Sequence, residues 1–427
     1  MKRTSQTTPR WRPARAAACV LVSALAIAGC SSGANTPDDT PPEVTALITT
    51  EQDAGFQEFY DDFTEETAFT FDATTSEVNA LVEQLRIQVN SGTAPDVLRV
   101  SLGSLTVGVL PLADEGALGD LNAEPWVDRV PESYRGLLES DDKIWAYPTS
   151  GQAIVMFYNR SVFEEAGVTP PTTWSEFLQV CQELKDAGTT PIAQGLGTPA
   201  MVQFIPYMLA ATLVSAENPD IDEQMQSGQT SFVDDPGWNE VFEKYTQLID
   251  LGYITPDAIG VTLDGAMQQT ASGDAAMVPL VSSNSPVLLD YFEDADDVGV
   301  FALPATDDAD ATHVPLSPEL LALNAEAANP EGAKAWFEFL SDPERAAEYA
   351  DRTNTLPVLD GVTPVQSELG DVLQPFLSEQ RFTPFVNHRW VNGDTQAALM
   401  QNGPLLATNE ITIPELLAAM DAAYELG

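Results

Sequence analysis

Residues 44 to 100 alternate short apolar runs with segments of helical periodicity, and this order limits the kind of sheet that the chain can form. The apolar runs have the length of buried strands and cover 44–49, 68–73 and 96–100. A strand-helix-strand-helix-strand order predicts parallel strands covered by helices, because each parallel connection crosses over the sheet. Ligands of such sheets bind beyond the carboxyl ends of the strands, so we expect a site near loops 50–54 and 101–106.

The segment 144–177 joins an aromatic turn, an apolar strand and two helix starts. The turn at 145–148 closes one unit, and the run 153–158 has the composition of a buried strand that enters the next. Two residue pairs have capping-box spacing, which marks the start of a helix: Ser161 with Glu164, and Thr173 with Glu176. Further helix starts are predicted at Asp235, Asn329, Asp342 and Thr412.

Four stretches in a fixed order carry a resemblance to a known family: WAYP at 145–148, FYNRSVFEEAG at 157–167, PPTTWSEFL at 170–178 and LKDAGTTPI at 184–192. From about Val44 to Tyr424 the chain resembles the extracellular solute-binding proteins of sugar-importing ABC transporters, the maltose-binding-protein-like group. The resemblance implies an α/β, two-lobed, periplasmic-binding-protein-like fold with an interlobe cleft and a multi-segment hinge. The implied lobes are 43–151 with 300–322 and 152–299 with 323–427.

The first 29 residues are predicted to be a secretory signal. They contain five basic residues and no acid, with an apolar run over 16–28 that is too short to span a membrane. The sequence Ile-Ala-Gly-Cys at 27–30 resembles a bacterial lipobox, which implies that Cys30 is lipidated and becomes the first mature residue. Residues 30–42 are then expected to form a flexible tether rich in Ser, Gly and Pro. The alternative is an ordinary cleaved signal in which this cysteine has no role.

The acidic composition restricts the possible partners. The chain has 65 acidic against 18 basic residues, and five of the basic residues lie in the leader. Binding to a phosphate backbone requires a basic surface, so nucleic acid is excluded as a partner. An anionic membrane surface would also repel the mature chain, so the lipid is expected to provide the attachment. The resemblance implies permease subunits as partners and, through them, a cytoplasmic ATPase; we expect a monomer.

Little in the sequence indicates catalysis or a cofactor. It has no Gly-x-Ser-x-Gly, Walker or G-x-G-x-x-G motif. The two histidines, His313 and His388, are too few for a convincing zinc site, and Cys181 has the helical spacing of a buried core thiol. A lipid-anchored glycoside hydrolase, which needs two carboxylates across one cleft, stays open as an alternative.

A sugar site combines amides and carboxylates for paired hydroxyls with an aromatic face for the ring. Carried over position by position, the resemblance implies these ligand-binding residues: Glu51, Gln52, Ser101, Ser104, Gln152, Gln203, Ser283, Asn284 and Trp390. Trp390 is expected to supply the aromatic face, because its neighbours in sequence are polar. The cation considered beside these positions is Arg389, next to Trp390, so we expect a neutral ligand. The family usually has a stacking Trp where this chain has 282–285, and its absence argues for a small or differently posed sugar, or equally for a non-sugar solute or a regulatory partner.

Overall fold

A mixed sheet extends through the described part of the chain, which in this computed structural model comprises residues 41–76, 78–103, 107–363 and 367–426. The strands are β1 (Glu43–Thr49), β2 (Thr70–Ser76), β3 (Val97–Val100), β4 (Glu139–Ser140), β5 (Lys143–Ile144), β6 (Tyr147–Asn159), β7 (Thr190–Ile192), β8 (Ala275–Val281), β9 (Val298–Phe301), β10 (Val314–Leu323) and β11 (Phe382–Thr383). The α-helices are α1 (Thr50–Phe56), α2 (Phe59–Thr67), α3 (Val78–Ser91), α4 (Val109–Asp114), α5 (Glu132–Leu138), α6 (Arg160–Ala166), α7 (Trp174–Asp186), α8 (Phe204–Ala210), α9 (Ile221–Gln226), α10 (Pro236–Asp250), α11 (Leu263–Ala271), α12 (Ser285–Tyr291), α13 (Pro330–Leu340), α14 (Pro343–Arg352), α15 (Glu368–Ser378), α16 (Gly393–Ala407) and α17 (Ile413–Tyr424). Short 3-10 helices include Pro199–Gln203, Ser282–Asn284 and Val386–Arg389.

The large sheet begins with the parallel unit that the sequence predicts. Its strand order is β2-β1-β3-β10-β6-β8-β7, with β11 on β10 and β9 on β6. β1 pairs in parallel with β2 on one side and with β3 on the other. The helical segment between β1 and β2 is divided into α1 and α2, and α3 leads from β2 to β3. The carboxyl ends of these strands therefore lie at one edge of the sheet.

Strand β6 has two sets of partners along its 13 residues. Up to Ala153 it pairs antiparallel with β10, and from Ile154 it pairs antiparallel with β8 and β9. β10 in turn pairs with β3. One half of the sheet is thus built on β1, β2, β3 and β10, the other on β7, β8 and β9, and β6 is common to both. This is the two-lobed arrangement that the resemblance implies.

Trp336 attaches α13 to the first half of the sheet. Its fully buried indole packs against Phe56, Phe63 and Phe71, with ring centroids 5.4, 5.0 and 4.2 Å away. These three rings belong to α1, α2 and β2. The residue bounds of the lobes remain a proposal, and this packing favours assigning α13 to the first lobe instead of grouping it within 323–427.

Local signals predict most helix starts correctly. The capping boxes expected at the starts of α7 and α17 are present. At α6 the prediction was wrong, because the N-cap is Asn159, whose Oδ1 accepts a hydrogen bond from the Val162 amide at 3.1 Å. Ser161 lies inside the helix and its hydroxyl donates to Asp297 at 2.8 Å. β6 runs directly into α6, so the cap falls on the last residue of the strand.

The second half has an apolar interior. In the described chain one helical segment, Pro199–Ala216, is long and apolar enough to cross a membrane, but 78% of it is buried inside the fold. It is therefore a core segment. Cys181 of α7 is also fully buried, as predicted, and burial raises the pKa of its thiol. A thiol in this environment is a packing residue, not a nucleophile.

We expect Trp336→Ala to lower the free energy of unfolding by about 3–5 kcal/mol, because it removes an indole that three aromatic rings enclose. Urea unfolding followed by circular dichroism measures the change. Ile87→Ala is the control, since this side chain is 65% exposed and its truncation should cost no more than about 0.5 kcal/mol. Similar losses in the two variants would contradict the assignment of Trp336 to the core.

Candidate functional site

A cavity of 290 Å³ opens beside β6, where its pairing changes from β10 to β8 and β9. We call it the cleft cavity. Residues from both halves of the sheet line it, among them Arg99, Ser101, Gln152, Gln203, Phe204, Tyr207, Ser317, Glu319, Phe385, Asn387, His388 and Gln396. The lining thus combines amides, hydroxyls, one acid, one guanidinium and several aromatic rings.

Gln152 and Glu319 are the half-buried residues of the two central strands, and both line the cleft cavity. Every other residue of β6 is buried, whereas Gln152 is half-buried, and Glu319 has the same status in β10. Gln152 Oε1 accepts a hydrogen bond from the Ser283 hydroxyl at 2.9 Å. The adjacent Ala153 amide donates to Ser282 Oγ at 3.1 Å. These bonds fix the loop after β8 against β6.

Gln203 is held in one orientation from several sides. Its Oε1 accepts hydrogen bonds from the Tyr207 hydroxyl at 2.8 Å and from Gln396 Nε2 at 2.7 Å. Its own Nε2 donates to the Ala200 carbonyl at 3.2 Å. The residue is 5% exposed. An amide held in this way is preorganised, so a ligand that reaches it pays little side-chain entropy.

His388 provides an uncharged polar group in the cavity wall. Its Nδ1 lies 3.2 Å from Ser317 Oγ, and its ring stacks on Phe385 with centroids 5.2 Å apart. Burial lowers the pKa of His388 to about 3, and the positive charge of Arg99 acts in the same direction. The imidazole is therefore neutral near pH 7 and has one donor and one acceptor nitrogen. Such a group matches a hydroxyl better than a charged ligand.

The structure brings only part of the predicted ligand set together. Ser101, Gln152 and Gln203 line the cleft cavity, and Ser283 is bonded to Gln152 behind it. Asn284 follows at the start of α12, outside the residues that line the cavity. The Ser101 hydroxyl accepts a hydrogen bond from an Arg99 guanidinium nitrogen at 2.8 Å.

Gln52, one of the two residues predicted after β1, does not line the cleft cavity. Gln52 is 2% exposed, and its side chain forms the capping box of α1 with Thr49. Glu51 lies in the first turn of α1. Ser104 lies outside the described residues. A ligand-binding role for Glu51 stays a prediction.

Trp390 is packed in the core of the second half. It is 3% exposed, and its ring lies 5.5 Å from Phe232, 6.1 Å from Tyr207 and 6.1 Å from Trp238 between centroids. Its indole is not part of the cleft-cavity lining. Trp390 was expected to bind ligand because its neighbours in sequence are polar. Two of those neighbours, Asn387 and His388, line the cleft cavity.

Arg99 is the cation that sequence reasoning missed. It lines the cleft cavity together with Glu319, so the wall carries both signs of charge. Arg389, the cation considered from the sequence, is instead 3.6 Å from Asp222 and lies outside the cavity lining. The residue pattern of β3 did not indicate that Arg99 lines a cavity, because the other residues of this strand are apolar and buried. Among the described residues, no group of three His, Cys, Asp or Glu side chains is placed to hold a metal ion.

Comparison with known proteins identifies relatives of the whole folded region. A family model for bacterial extracellular solute-binding proteins matches residues 48–347. The chain is 23% identical over 398 residues to an ABC transporter extracellular-binding protein of Pyrococcus horikoshii, covering 86% of this chain and 85% of the relative. It is 22% identical over 301 residues to the multiple sugar-binding protein of Streptococcus mutans, covering 70% of each.

Solved structures share the fold at low sequence identity. A chitin oligosaccharide binding protein superposes with a TM-score of 0.77 at 21% identity, covering 90% of this chain and 98% of that one. RafE from Streptococcus pneumoniae in its apo form gives a TM-score of 0.75 at 18% identity, covering 91% and 98%. At these identities the likeness establishes the fold and not the ligand.

We expect the pH dependence of stability to report the neutral state of His388. In the unfolded chain a histidine takes up its proton near pH 6.5, whereas the folded protein keeps this ring neutral down to about pH 3. The stabilisation is therefore fully present above about pH 6.5 and is lost as the pH falls toward 3. Its size should be about 1–2 kcal/mol between pH 7.5 and pH 5.

The measurement is the free energy of unfolding of the native sequence and of His388→Gln at both pH values. The carboxylates titrate in both proteins, so their contribution to the pH dependence of the unfolding free energy cancels when the two proteins are compared. The native sequence should lose more stability than the variant on acidification, and His313→Gln, which retains His388, should behave like the native sequence. Equal losses in the native sequence and in His388→Gln would show that the ring is not held neutral.

Proposed function

Because this chain belongs to the family of bacterial extracellular solute-binding proteins, we propose that it captures a small neutral sugar outside the cytoplasmic membrane and delivers it to an ABC importer. The family is one of binding proteins. The observation that carries the proposal of a sugar is the cleft cavity, whose polar side chains come from both halves of the sheet. A ligand bound there would contact both lobes, as a ligand that drives lobe closure must.

The chemistry of the cleft cavity matches a polyol. Gln152, Gln203 and Gln396 provide amides, and His388 provides a neutral imidazole for hydroxyl groups. Phe204, Tyr207 and Phe385 provide aromatic surface for the C–H face of a sugar ring. With no Trp at 282–285 and with Trp390 buried, the aromatic surface is modest, which favours a mono- or short oligosaccharide.

Proteins with this sequence or fold support a carbohydrate ligand. The relative from Streptococcus mutans is named a multiple sugar-binding protein, and the superposed structures include a chitin oligosaccharide binding protein and RafE in complex with raffinose. Hydrolysis is the weaker alternative, because Glu319 is the one carboxylate that lines the described cavity and glycosidases generally use two.

Lobe closure is proposed to involve the loop after β3. Gly103 has a φ of +82°, and a Cβ there would lie 3.1 Å from the Asn387 carbonyl oxygen and 3.2 Å from His388 Cα. The first-half loop therefore approaches the 3-10 helix Val386–Arg389 of the cavity wall with no space for a side chain. A closed form around ligand would depend on this backbone contact.

The first test is a thermal-shift screen of the mature protein against mono- and oligosaccharides, amino acids, polyamines and small acids. A sugar present at tens of times its Kd should stabilise the fold by about 2 kcal/mol. Gln152→Ala should weaken binding of that sugar about tenfold, since it removes an amide at the change of strand partners. Gln179→Ala is the matched control, because Gln179 is exposed on α7 and should leave the affinity unchanged.

Product analysis of the sugar separates the alternatives. An unaltered sugar supports a binding protein, and a cleaved sugar would assign the protein to the glycoside hydrolases. Responses only to amino acids, polyamines or acids would refute the carbohydrate ligand while leaving the family assignment intact. Trp390→Ala should lower stability without a selective loss of sugar affinity, because its ring packs on Phe232 and Trp238.

We also propose that Cys30 carries lipid and that 30–42 tether the folded region to the membrane; both lie almost entirely outside the described residues. The family location is extracytoplasmic, and the acidic chain needs an anchor that does not rely on charge. Cys30→Ser should release the protein into the medium or periplasm, as fractionation of producing cells would measure. Ser31→Ala serves as control and should stay in the membrane fraction. Retention of Cys30→Ser in the membrane would refute the anchor.

A further inference from the structure

The fold fixes the direction of the hydrogen bonds around Gln203 in the wall of the cleft cavity. Gln203 ends the 3-10 helix Pro199–Gln203, and its Nε2 donates to the Ala200 carbonyl oxygen at 3.2 Å. A carbonyl oxygen can only accept, so this contact decides which end of the amide is the nitrogen. The Gln203 oxygen therefore lies on the other side, where the Tyr207 hydroxyl donates to it at 2.8 Å.

The same oxygen sets the direction of a second amide. Gln396 Nε2 donates to Gln203 Oε1 at 2.7 Å, beside the bond from Tyr207. Burial raises the pKa of the Tyr207 hydroxyl, which therefore stays protonated and remains a donor. Gln203 Oε1 can only accept, so Gln396 must present its nitrogen to it. The direction set by the Ala200 carbonyl is thus passed on to Gln396, whose own oxygen is left for other partners.

Gln396 Oε1 is an accessible acceptor. The residue is half-buried and lines the cleft cavity. No described residue donates a hydrogen bond to this oxygen, nor is it one of the unpartnered side-chain atoms that are buried among the described residues. It therefore keeps accessible surface. An acceptor of this kind pairs with a hydroxyl that donates to it and gains nothing from a group that can only accept.

Helix packing holds the two amides at this distance. Asn392 caps the start of α16, where Gln396 lies. Further along this helix, a Cβ at Gly403 would lie 2.3 Å from Val202 Cγ2, so α16 lies directly against the 3-10 helix that ends at Gln203. The approach is set by backbone and apolar contacts outside the cleft cavity. The acceptor is therefore in place before a ligand binds.

We infer that Gln396 Oε1 selects a donor hydroxyl of the ligand and that Gln203 is the positioning residue that holds this oxygen in its direction. The inference rests on the proposed function, since it concerns the sugar bound in the cleft cavity. It restricts that sugar to compounds with a free hydroxyl at one particular carbon. A sugar that is deoxygenated or substituted on oxygen there has no donor for Gln396.

The hydroxyl requirement is tested by calorimetric titration of the mature protein. D-glucose, D-galactose, D-mannose, D-xylose, maltose, cellobiose and raffinose are compared, and the tightest binder is followed by its monodeoxy and deoxyfluoro analogues. At one carbon both analogues should bind at least tenfold more weakly than the parent, because neither hydrogen nor fluorine donates a hydrogen bond. In Gln396→Leu the parent and these two analogues should bind within twofold of one another.

The positioning role of Gln203 has its own variants. Gln203→Leu removes the oxygen that holds Gln396 and should weaken binding of the parent sugar about tenfold. Gln203→Glu keeps an acceptor for Tyr207 and Gln396 and should bind within threefold of the native protein. The double variant of Gln203→Leu with Gln396→Leu should lose about tenfold instead of a hundredfold, because the two residues act as a unit. Gln401→Leu, on the exposed face of α16, is the matched control and should leave the Kd unchanged.

The outcomes separate this inference from the proposed function. If no carbon loses both analogues, or if their loss persists in Gln396→Leu, the role of Gln396 is overturned while sugar binding stands. Losses that multiply in the double variant would overturn the positioning role of Gln203. If Gln203→Leu does not fold, the analogues in the native protein and in Gln396→Leu still decide. Failure of all seven sugars to bind would refute the proposed function and this inference together.

Discussion

The change of partners along β6 is the constraint on which the rest of the structure depends. A strand in the middle of a sheet must pair its backbone groups on both sides, because an unpaired buried amide or carbonyl is costly. Up to Ala153 β6 pairs with β10 and has a bridge from Gly151 to Leu356 on its other side, and from Ile154 it pairs with β8 and then also with β9. The two halves of the molecule are therefore joined by a continuous ladder of hydrogen bonds, and the cleft opens where the ladder passes from one half to the other.

The polar character of the cleft cavity arises where the pairing of β6 changes. Gln152 is the half-buried residue of an otherwise buried strand, and Glu319 occupies the equivalent position of β10. Other polar side chains of these strands are buried and hydrogen-bonded within the fold, as Asn159 is to Val162 and Ser317 is to His388. Around them the structure supplies fixed partners, such as Ser283 for Gln152 and Tyr207 for Gln203. Binding groups are thus held in position before a ligand arrives.

The segment 386–390 shows what a local observation can and cannot predict. The sequence drew attention to an aromatic residue among polar neighbours. In the fold Trp390 turns inward onto Phe232 and Trp238, and His388 turns toward Ser317 and the cavity. The segment was identified, but the orientation of Trp390 depends on rings more than 150 residues away, which no local pattern reveals.

The sequence by itself determined the features that short-range physics controls. The alternation of strands and helices, the parallel pairing of β1 with its neighbours, the capping boxes of α7 and α17 and the burial of Cys181 all follow from periodicity and local hydrogen bonding. Tertiary structure decided which polar residues share a cavity. Arg99, Gln203 and His388 meet only because β3, the 3-10 helix Pro199–Gln203 and the segment before α16 converge on β6, and long-range packing sets that convergence.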